Sequence, residues 1–136
     1  MSEFVKLSSE ISRFPELVQS RREWIEQVLV PWCRTASRKD LLLAEQAWPD
    51  IAGRPDPQQT LWLWGWQRFP DLCDESLTAL NETWPVEVTL RSGGTCTGYP
   101  DARQSVRGEL VLIALNGSNI GPLLIDEIVS VTRQQQ

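Results

Sequence analysis

The first part of the chain has apolar residues at helical spacing. From 15 to 29 they recur one, three or seven positions apart, with Glu and Arg on the other side. This pattern predicts an amphipathic helix, and Pro31 is expected to end or kink it because proline lacks a backbone donor. The run Ser37-Arg38-Lys39-Asp40 resembles a capping box, with Asp in place of the usual Glu, and predicts a second helix over 40–47.

An apolar run over 61–70 contains three tryptophans at alternate positions. In an extended chain, period-two geometry places Trp62, Trp64 and Trp66 on one face, and the residues between them on the other. A strand that is apolar on both faces is normally covered on both sides. We therefore predict a Trp-rich strand over 60–66, lying between the helical part and the rest of the chain, and a short helix within 71–83.

From Val86 onward the apolar pattern has a period of two, which is typical of β-strands. The run Ser92-Gly93-Gly94 predicts a tight turn between the first two strands. A single helical turn is expected at 126–128, just before the last strand. The five predicted strands are 86–91, 95–99, 109–115, 120–125 and 129–132.

These elements predict an α+β protein in three stretches. Residues 1–59 form a helical part, 60–85 form a seam that holds the Trp-rich strand and the short helix, and 86–132 form a small β-barrel. A chain of 136 residues is the usual size of one domain, so the three stretches are expected to make one folded unit.

The C-terminal pattern also resembles a small SH3-like or Sm-like barrel. The resemblance rests on Val86 to Gly94, on the Thr97-Gly98 pair and on Ile125 to Val131, and it covers about 47 residues. In such barrels the first hairpin turns at a glycine, a strand bends at a second glycine, and a 3₁₀ turn precedes the last strand. The resemblance implies a five-stranded antiparallel barrel with Gly98 at the bend. Many unrelated functions use such barrels, so it implies a scaffold for binding and no particular ligand.

Composition and charge narrow the classes of function. The apolar fraction is 41% and the charged fraction is 23%, which are ordinary values for a globular chain, whereas seven tryptophans are many for this length. The net charge is −5, and most of it falls beyond residue 60. Nucleic-acid binders usually carry a basic face, so the charge disfavours that class. No apolar run is long enough to span a membrane, and a cytoplasmic location is expected.

Metal and thiol chemistry find little support. The chain has three cysteines, Cys33, Cys73 and Cys96, with no CxxC pair and no histidine, so a Cys/His zinc site is disfavoured. A cysteine nucleophile needs a base or a positive environment, and no histidine is available as the base. The cysteines are expected to be structural thiols, and no cofactor is predicted.

Two stretches hold the candidate site residues. Trp64 and Trp66 could form an aromatic platform on which Arg68 stacks, although a core role is favoured because both faces of the strand are apolar. The polar loop 101–108 carries Asp101, Arg103 and Arg107, and its arginines could contact a phosphate or a carboxylate of a partner. The loop is the better candidate.

Three functions remain open on these grounds. The first is a non-catalytic protein-binding or adaptor module, because the barrel is a common binding scaffold and no catalytic motif is found. The second is a nucleic-acid-associated regulatory protein that uses an Sm-like barrel and the arginine loop. The third is an enzyme that relies on carboxylates alone.

Overall fold

Two clusters of apolar side chains organise the chain, one among helices and one on a β-sheet. The computed structural model describes residues 22–53, 56–74 and 79–134. The first part of the predicted helix, residues 15–21, lies outside these ranges. The described part has four α-helices and a five-stranded antiparallel sheet, so the α+β class is confirmed.

The first helical stretch continues past Pro31. Residues 22–24 are helical, Ile25–Leu29 form a π-helical segment, and helix α1 spans Val30–Thr35. An end or a kink is predicted at Pro31; the helix does not end there, and its irregular stretch is the π-helical segment just before the proline. The helical path is altered before the proline, where the Val30 N–H donates to the Ile25 carbonyl, five residues earlier.

The second predicted helix is confirmed. Helix α2 spans Arg38–Gln46, and the Ser37 hydroxyl caps it by accepting a hydrogen bond of 3.2 Å from the Asp40 N–H. A short helix α3, Trp48–Ile51, follows, with Pro49 in its first turn. A 3₁₀ turn follows at Pro57–Gln59.

The predicted Trp-rich strand is wrong, because this segment is helix α4, Leu61–Trp66. A run that is apolar at nearly every position fits both the helical and the strand period. Backbone hydrogen bonding favours the helix, because the N–H groups of a helix find acceptors within the same segment. The Trp64 N–H, for example, donates to the Thr60 carbonyl at 2.8 Å. A strand among helices would have no neighbouring strand to pair with. Gly65 lets α4 lie close to its neighbours, because a Cβ there would be 3.3 Å from Leu41 Cδ1.

The short helix predicted within 71–83 is also wrong over the part that the structure describes. A 3₁₀ turn covers Pro70–Leu72, and residues 79–83 are not helical. The Asn81 N–H instead donates to the Leu72 carbonyl at 2.8 Å, which ties the two ends of this segment together. Residues 75–78 lie outside the described ranges.

All five predicted strands are present. They are β1 Val86–Leu90, β2 Thr95–Pro100, β3 Glu109–Ile113, β4 Asn119–Leu124 and β5 Ile128–Arg133. The sheet has the order β4-β3-β2-β1-β5, and the predicted helical turn before β5 is the 3₁₀ turn Ile125–Glu127. Strand β2 pairs with β1 up to Gly98 and with β3 from Tyr99, so it changes partner at the predicted bend. A Cβ at Gly98 would be 2.7 Å from the Ile113 carbonyl oxygen.

The sheet does not close into the predicted barrel. Its hydrogen-bonded order ends at β4 on one side and β5 on the other, and these two strands do not pair. Each outer strand has a feature that limits further pairing. Pro122 in β4 has no N–H to donate, and the Arg133 N–H in β5 donates to the Asp71 carboxylate at 2.8 Å.

Helix α4 contributes to both apolar clusters. Leu61 and Trp62 belong to the helical cluster with α1, α2 and α3, whereas Trp66 belongs to the sheet cluster. All three side chains are buried. Helix α4 therefore lies between the two apolar clusters and supplies side chains to both.

Candidate functional site

The loop 101–108 connects β2 to β3, and Asp101 shapes its first turn. One Asp101 carboxylate oxygen accepts hydrogen bonds from the Arg103 and Gln104 N–H groups at 3.0 and 3.3 Å, and the other accepts from the Gln104 side chain at 2.7 Å. The Gln104 side-chain hydrogen bond is the main reason that the pKa of Asp101 lies below its usual 3.8. Asp101 therefore holds the loop and has few lone pairs left for a ligand.

Ser105 anchors the middle of the same loop. Its hydroxyl is buried and accepts from the Val111 N–H at 2.8 Å. Its carbonyl accepts from the Gln58 side chain at 2.9 Å, which links the loop to the 3₁₀ turn of the helical half. The loop is thus held from both halves of the molecule.

Arg107 is tied to the helical half through Glu45. Its Nε lies 2.9 Å from Glu45 Oε2, while the Trp62 indole N–H donates to Glu45 Oε1 at 2.6 Å. The Arg107 backbone has a positive φ of 50° and its carbonyl accepts from Arg38 Nε at 2.8 Å. The Arg107 side chain is nevertheless 62% exposed. Sequence reasoning missed Glu45, because an acid on a helix surface carries no signal of its distant partners.

An open cavity of about 400 Å³ lies where this loop meets the helical half. We call it the seam groove. Val106 is 41% exposed there, so the groove offers an aliphatic surface beside the Glu45–Arg107 ion pair. Its lining residues are Glu45, Asp56, Pro57, Gln58, Val106 and Arg107.

A second and smaller cavity, of about 150 Å³, shares Asp56 and Gln58 with the seam groove. We call it the Trp66 hollow. Trp66 is only 1% exposed, and its indole nitrogen has no hydrogen-bond partner within the described part of the chain. The lining residues are Asp56, Gln58, Gln59, Leu63, Trp66, Ala79, Leu80 and Ala102.

The predicted tryptophan platform does not exist as one face, because its residues are on a helix. Trp62 and Trp66 are buried in different clusters. Trp64 is half-buried and packs edge-on against Trp48, with ring centroids 5.9 Å apart. The three side chains therefore share no ladder on which a ligand could stack.

Arg68 donates hydrogen bonds to backbone carbonyls at the ends of two helices. Its Nε donates to the Gly65 carbonyl at 2.8 Å, and one terminal nitrogen donates to the Cys33 and Ala36 carbonyls at 2.9 and 2.7 Å. Burial is the main cause that lowers the pKa of the Arg68 guanidinium below its usual range. The predicted stacking on Trp66 is not seen; among the described residues, the cation–π contact is Arg133 over Trp84 at 4.0 Å.

Arg103 is the least engaged of the predicted site residues. It is exposed, and its guanidinium makes no hydrogen bond or ion pair with any residue that the structure describes. Its backbone N–H donates to Asp101, and its positive charge is a minor cause of the lowered pKa of that carboxyl. Arg103 and Arg107 therefore differ, because one is available to a partner and the other is already paired.

Cys33 and Cys73 lie in environments that suppress the thiolate form. Burial raises the pKa of Cys33 to about 12 and that of Cys73 to about 11. Within residues 22–53, 56–74 and 79–134, no three His, Cys, Asp or Glu side chains are grouped so that they could hold a metal ion.

Comparison with known proteins gives no match: no family model matches the chain, and neither a curated protein nor a solved structure matches it significantly. Among the described helices, none is both long and apolar enough to cross a membrane.

Proposed function

We propose that the protein is a non-catalytic binding module that takes a segment of a partner protein in the seam groove. The observation that carries the proposal is an exposed aliphatic side chain, Val106, in an open groove beside a charged pair. Apolar contact provides affinity at such a surface, and the polar groups around it fix orientation. Cytoplasmic location remains part of the proposal.

The C-terminal half suits the role of scaffold. The strand order, the partner change at Gly98 and the 3₁₀ turn before β5 support an SH3-like or Sm-like arrangement, here as an open sheet. Loops between strands can vary without loss of such a core. The loop 101–108 is one of these, and bonds to Gln58 and Glu45 hold it in place.

A peptide-display selection tests the proposal. Random linear peptides are selected on the folded protein, with counter-selection on Val106→Glu, which places a charge in the groove. We expect enrichment of a sequence motif whose peptides bind the original protein and do not bind Val106→Glu. Failure to enrich any motif, or motifs that bind the variant equally well, would contradict the proposal.

A nucleic-acid-associated role is the second candidate, and the unengaged Arg103 guanidinium is the observation that favours it. Arg107 supports it less, because Glu45 already neutralises that charge. The test is a gel shift with RNA and DNA at low salt, where phosphate contacts are strongest. A shift that Arg103→Ala abolishes would support it, and no shift would remove it.

A carboxylate-dependent enzyme is the third candidate and remains a hypothesis. Asp101 has a lowered pKa, and its carboxylate is bonded within its own loop. A broad substrate screen with the purified protein tests it, and turnover that survives further purification would overturn the non-catalytic proposal.

A further inference from the structure

A third open cavity, of about 400 Å³, is lined by residues of both halves and shares none of them with the seam groove. We call it the Arg91 cavity. We propose that it binds a small organic carboxylate. The ligand oxygens accept hydrogen bonds from the Arg91 guanidinium and the Ser37 hydroxyl, and the apolar body of the ligand lies against Phe69 and Ile128. This site is separate from the one that carries the proposed function.

Arg91 is anchored beside the cavity and still has donors to offer. Its Nε donates to the Asp126 carbonyl at 2.7 Å, and its backbone N–H donates to the Glu127 carbonyl at 2.8 Å. The two terminal nitrogens make no hydrogen bond or ion pair with any residue that the structure describes, and the side chain is exposed. A guanidinium is planar and its donors form a rigid fork that fits a carboxylate. The anchored Nε therefore leaves two oriented donors for such a ligand.

Ser37 brings a second donor from the helical half. Its hydroxyl oxygen accepts from the Asp40 N–H at 3.2 Å, which leaves the hydroxyl hydrogen for another acceptor. No residue of the described ranges accepts that hydrogen. Ser37 and Arg91 both line the cavity, so donors from the two halves serve the same space.

The charges around the cavity favour a ligand with one negative charge. Arg68, Arg91 and Asp126 are the charged side chains that line it. Burial lowers the pKa of Arg68 and the Asp126 carboxylate opposes that effect, so the Asp126 charge acts on Arg68. Arg91 has no acidic partner among the described residues, and the sum of the three charges is that of one cation. A carboxylate neutralises this charge, whereas a phosphate monoester carries nearly two charges and would be repelled by Asp126.

The apolar walls indicate that the ligand is more than a bare ion. Phe69, Ile125 and Ile128 line the cavity and are almost fully buried in the fold. The volume of about 400 Å³ lies within the roughly 300–1,000 Å³ of small-ligand pockets. Contact with these walls provides affinity, and the two donors fix the orientation of the carboxylate. A free aliphatic acid and the C-terminal residue of a peptide both have this chemistry.

Methyl NMR on the whole chain tests the inference. Labelling the isoleucine methyl groups with ¹³C reports on Ile128 in the cavity wall, and Ile128→Val identifies its peak. The probe is N-acetyl-L-leucine, a carboxylate with a branched aliphatic body, at low ionic strength because salt screens exposed charges. We expect a saturable shift of the Ile128 peak, with a Kd on the order of millimolar for so small a ligand.

A matched probe and two matched variants separate the explanations. N-acetyl-L-leucinamide has the same body without the charge, and we expect it to bind at least about tenfold more weakly. Arg91→Met should weaken binding of N-acetyl-L-leucine by about tenfold or more. Arg103→Met removes an exposed guanidinium that does not line the cavity and should leave the Kd unchanged. If Arg91→Met does not fold, the acid and the amide on the unaltered protein still decide the question.

Isocaproate, which has the leucine side chain and a carboxylate but no peptide group, distinguishes the two sources of the ligand. A Kd equal to that of N-acetyl-L-leucine supports a free acid. Tighter binding of N-acetyl-L-leucine supports the C-terminal residue of a peptide. Inorganic phosphate that shifts the Ile128 peak at lower concentration than either probe contradicts the choice of a singly charged ligand.

Three outcomes would overturn the inference. The first is an Ile128 peak that is unmoved at about 50 mM N-acetyl-L-leucine, well above the expected Kd. The second is an equal Kd for the acid and the amide, which contradicts recognition of the carboxylate. The third is equal weakening by Arg91→Met and Arg103→Met, which means only general attraction to exposed arginines. Because the two cavities share no lining residue, none of these outcomes bears on the seam groove.

Discussion

Arg68 stabilises the molecule through backbone carbonyls rather than through a ligand. Its guanidinium serves the last turn of α1 and the end of α4, where carbonyls lack intrahelical partners. We predict that Arg68→Met lowers the free energy of unfolding by about 2–3 kcal/mol, because charged hydrogen bonds are lost and half-buried carbonyls remain. Urea denaturation measures the change.

Arg103→Met is the matched control for that experiment. The same substitution at an exposed guanidinium without a partner among the described residues should change stability by less than about 0.5 kcal/mol. Equal losses in the free energy of unfolding for the two variants would contradict the role of Arg68 in bonding the carbonyls at the helix ends.

Asp101 gives a pH-dependent prediction at the same scale. The folded pKa is lowered, so the stability that this carboxylate contributes is present above 3.8 and is lost as the pH falls through the lower folded pKa. Gln104→Ala removes the main cause and should move the pKa back up toward 3.8. The stability cost at neutral pH should stay below about 1 kcal/mol because the loop is exposed.

Carboxyl NMR measures the Asp101 titration in both proteins. The stability difference between them should shrink in acid, once Asp101 is protonated in both. A pKa that does not respond to Gln104→Ala would contradict the hydrogen bond as its cause.

Some of these residue roles could be predicted from sequence and others could not. The Ser37 cap was predictable because its partner, Asp40, is three residues away. The Glu45–Arg107 pair joins residues 62 positions apart, and nothing local to either residue signals the other. Arg68 was identified as a site residue, but its carbonyl partners depend on how two helices pack.

At the scale of elements, Gly98 marks where β2 leaves one strand partner for the next. A side chain there would meet backbone, with the Ile113 oxygen 2.7 Å from the added Cβ. We predict that Gly98→Ala destabilises the fold by about 2–3 kcal/mol, because a backbone atom cannot move aside without disturbing the β2–β3 pairing. Chemical denaturation monitored by circular dichroism provides the measurement.

Gly94→Ala controls for the loss of glycine itself. Its added Cβ would meet only the Ser92 hydroxyl at 3.7 Å, so its stability should stay within about 0.5 kcal/mol of the original protein. If Gly98→Ala changed stability as little as Gly94→Ala, the close approach of position 98 to the Ile113 backbone would be contradicted.

Strands could be predicted here and α4 could not, for a common reason. The residues from Val86 to Leu90 alternate between apolar and polar, which excludes a helical face. The residues of α4 are apolar almost throughout, so the period carries no information, and hydrogen bonding to the surroundings decides the structure. The sequence therefore predicts that the Trp-rich run is apolar on all sides, but it does not predict that the run is helical.

At the scale of the whole molecule, side chains from the two halves meet around α4 and the loop 101–108. The Arg38 N–H donates to the Asp126 carboxylate at 2.8 Å, and the Arg38 guanidinium lies 3.5 Å from the Glu109 carboxylate. The loop with Arg107 stays a prediction from sequence, whereas the groove could not be predicted, because four of its six lining residues come from the helical half.

A calorimetric titration tests the central claim, that the seam groove binds a partner segment. A peptide from the display selection is titrated into the original protein, Val106→Glu, and Val129→Glu, whose altered residue is a 54% exposed valine on β5 outside the groove. The account predicts that Val106→Glu weakens binding about tenfold or more, and that Val129→Glu leaves the Kd unchanged. Unchanged binding to Val106→Glu, or equal weakening by both variants, would contradict the claim.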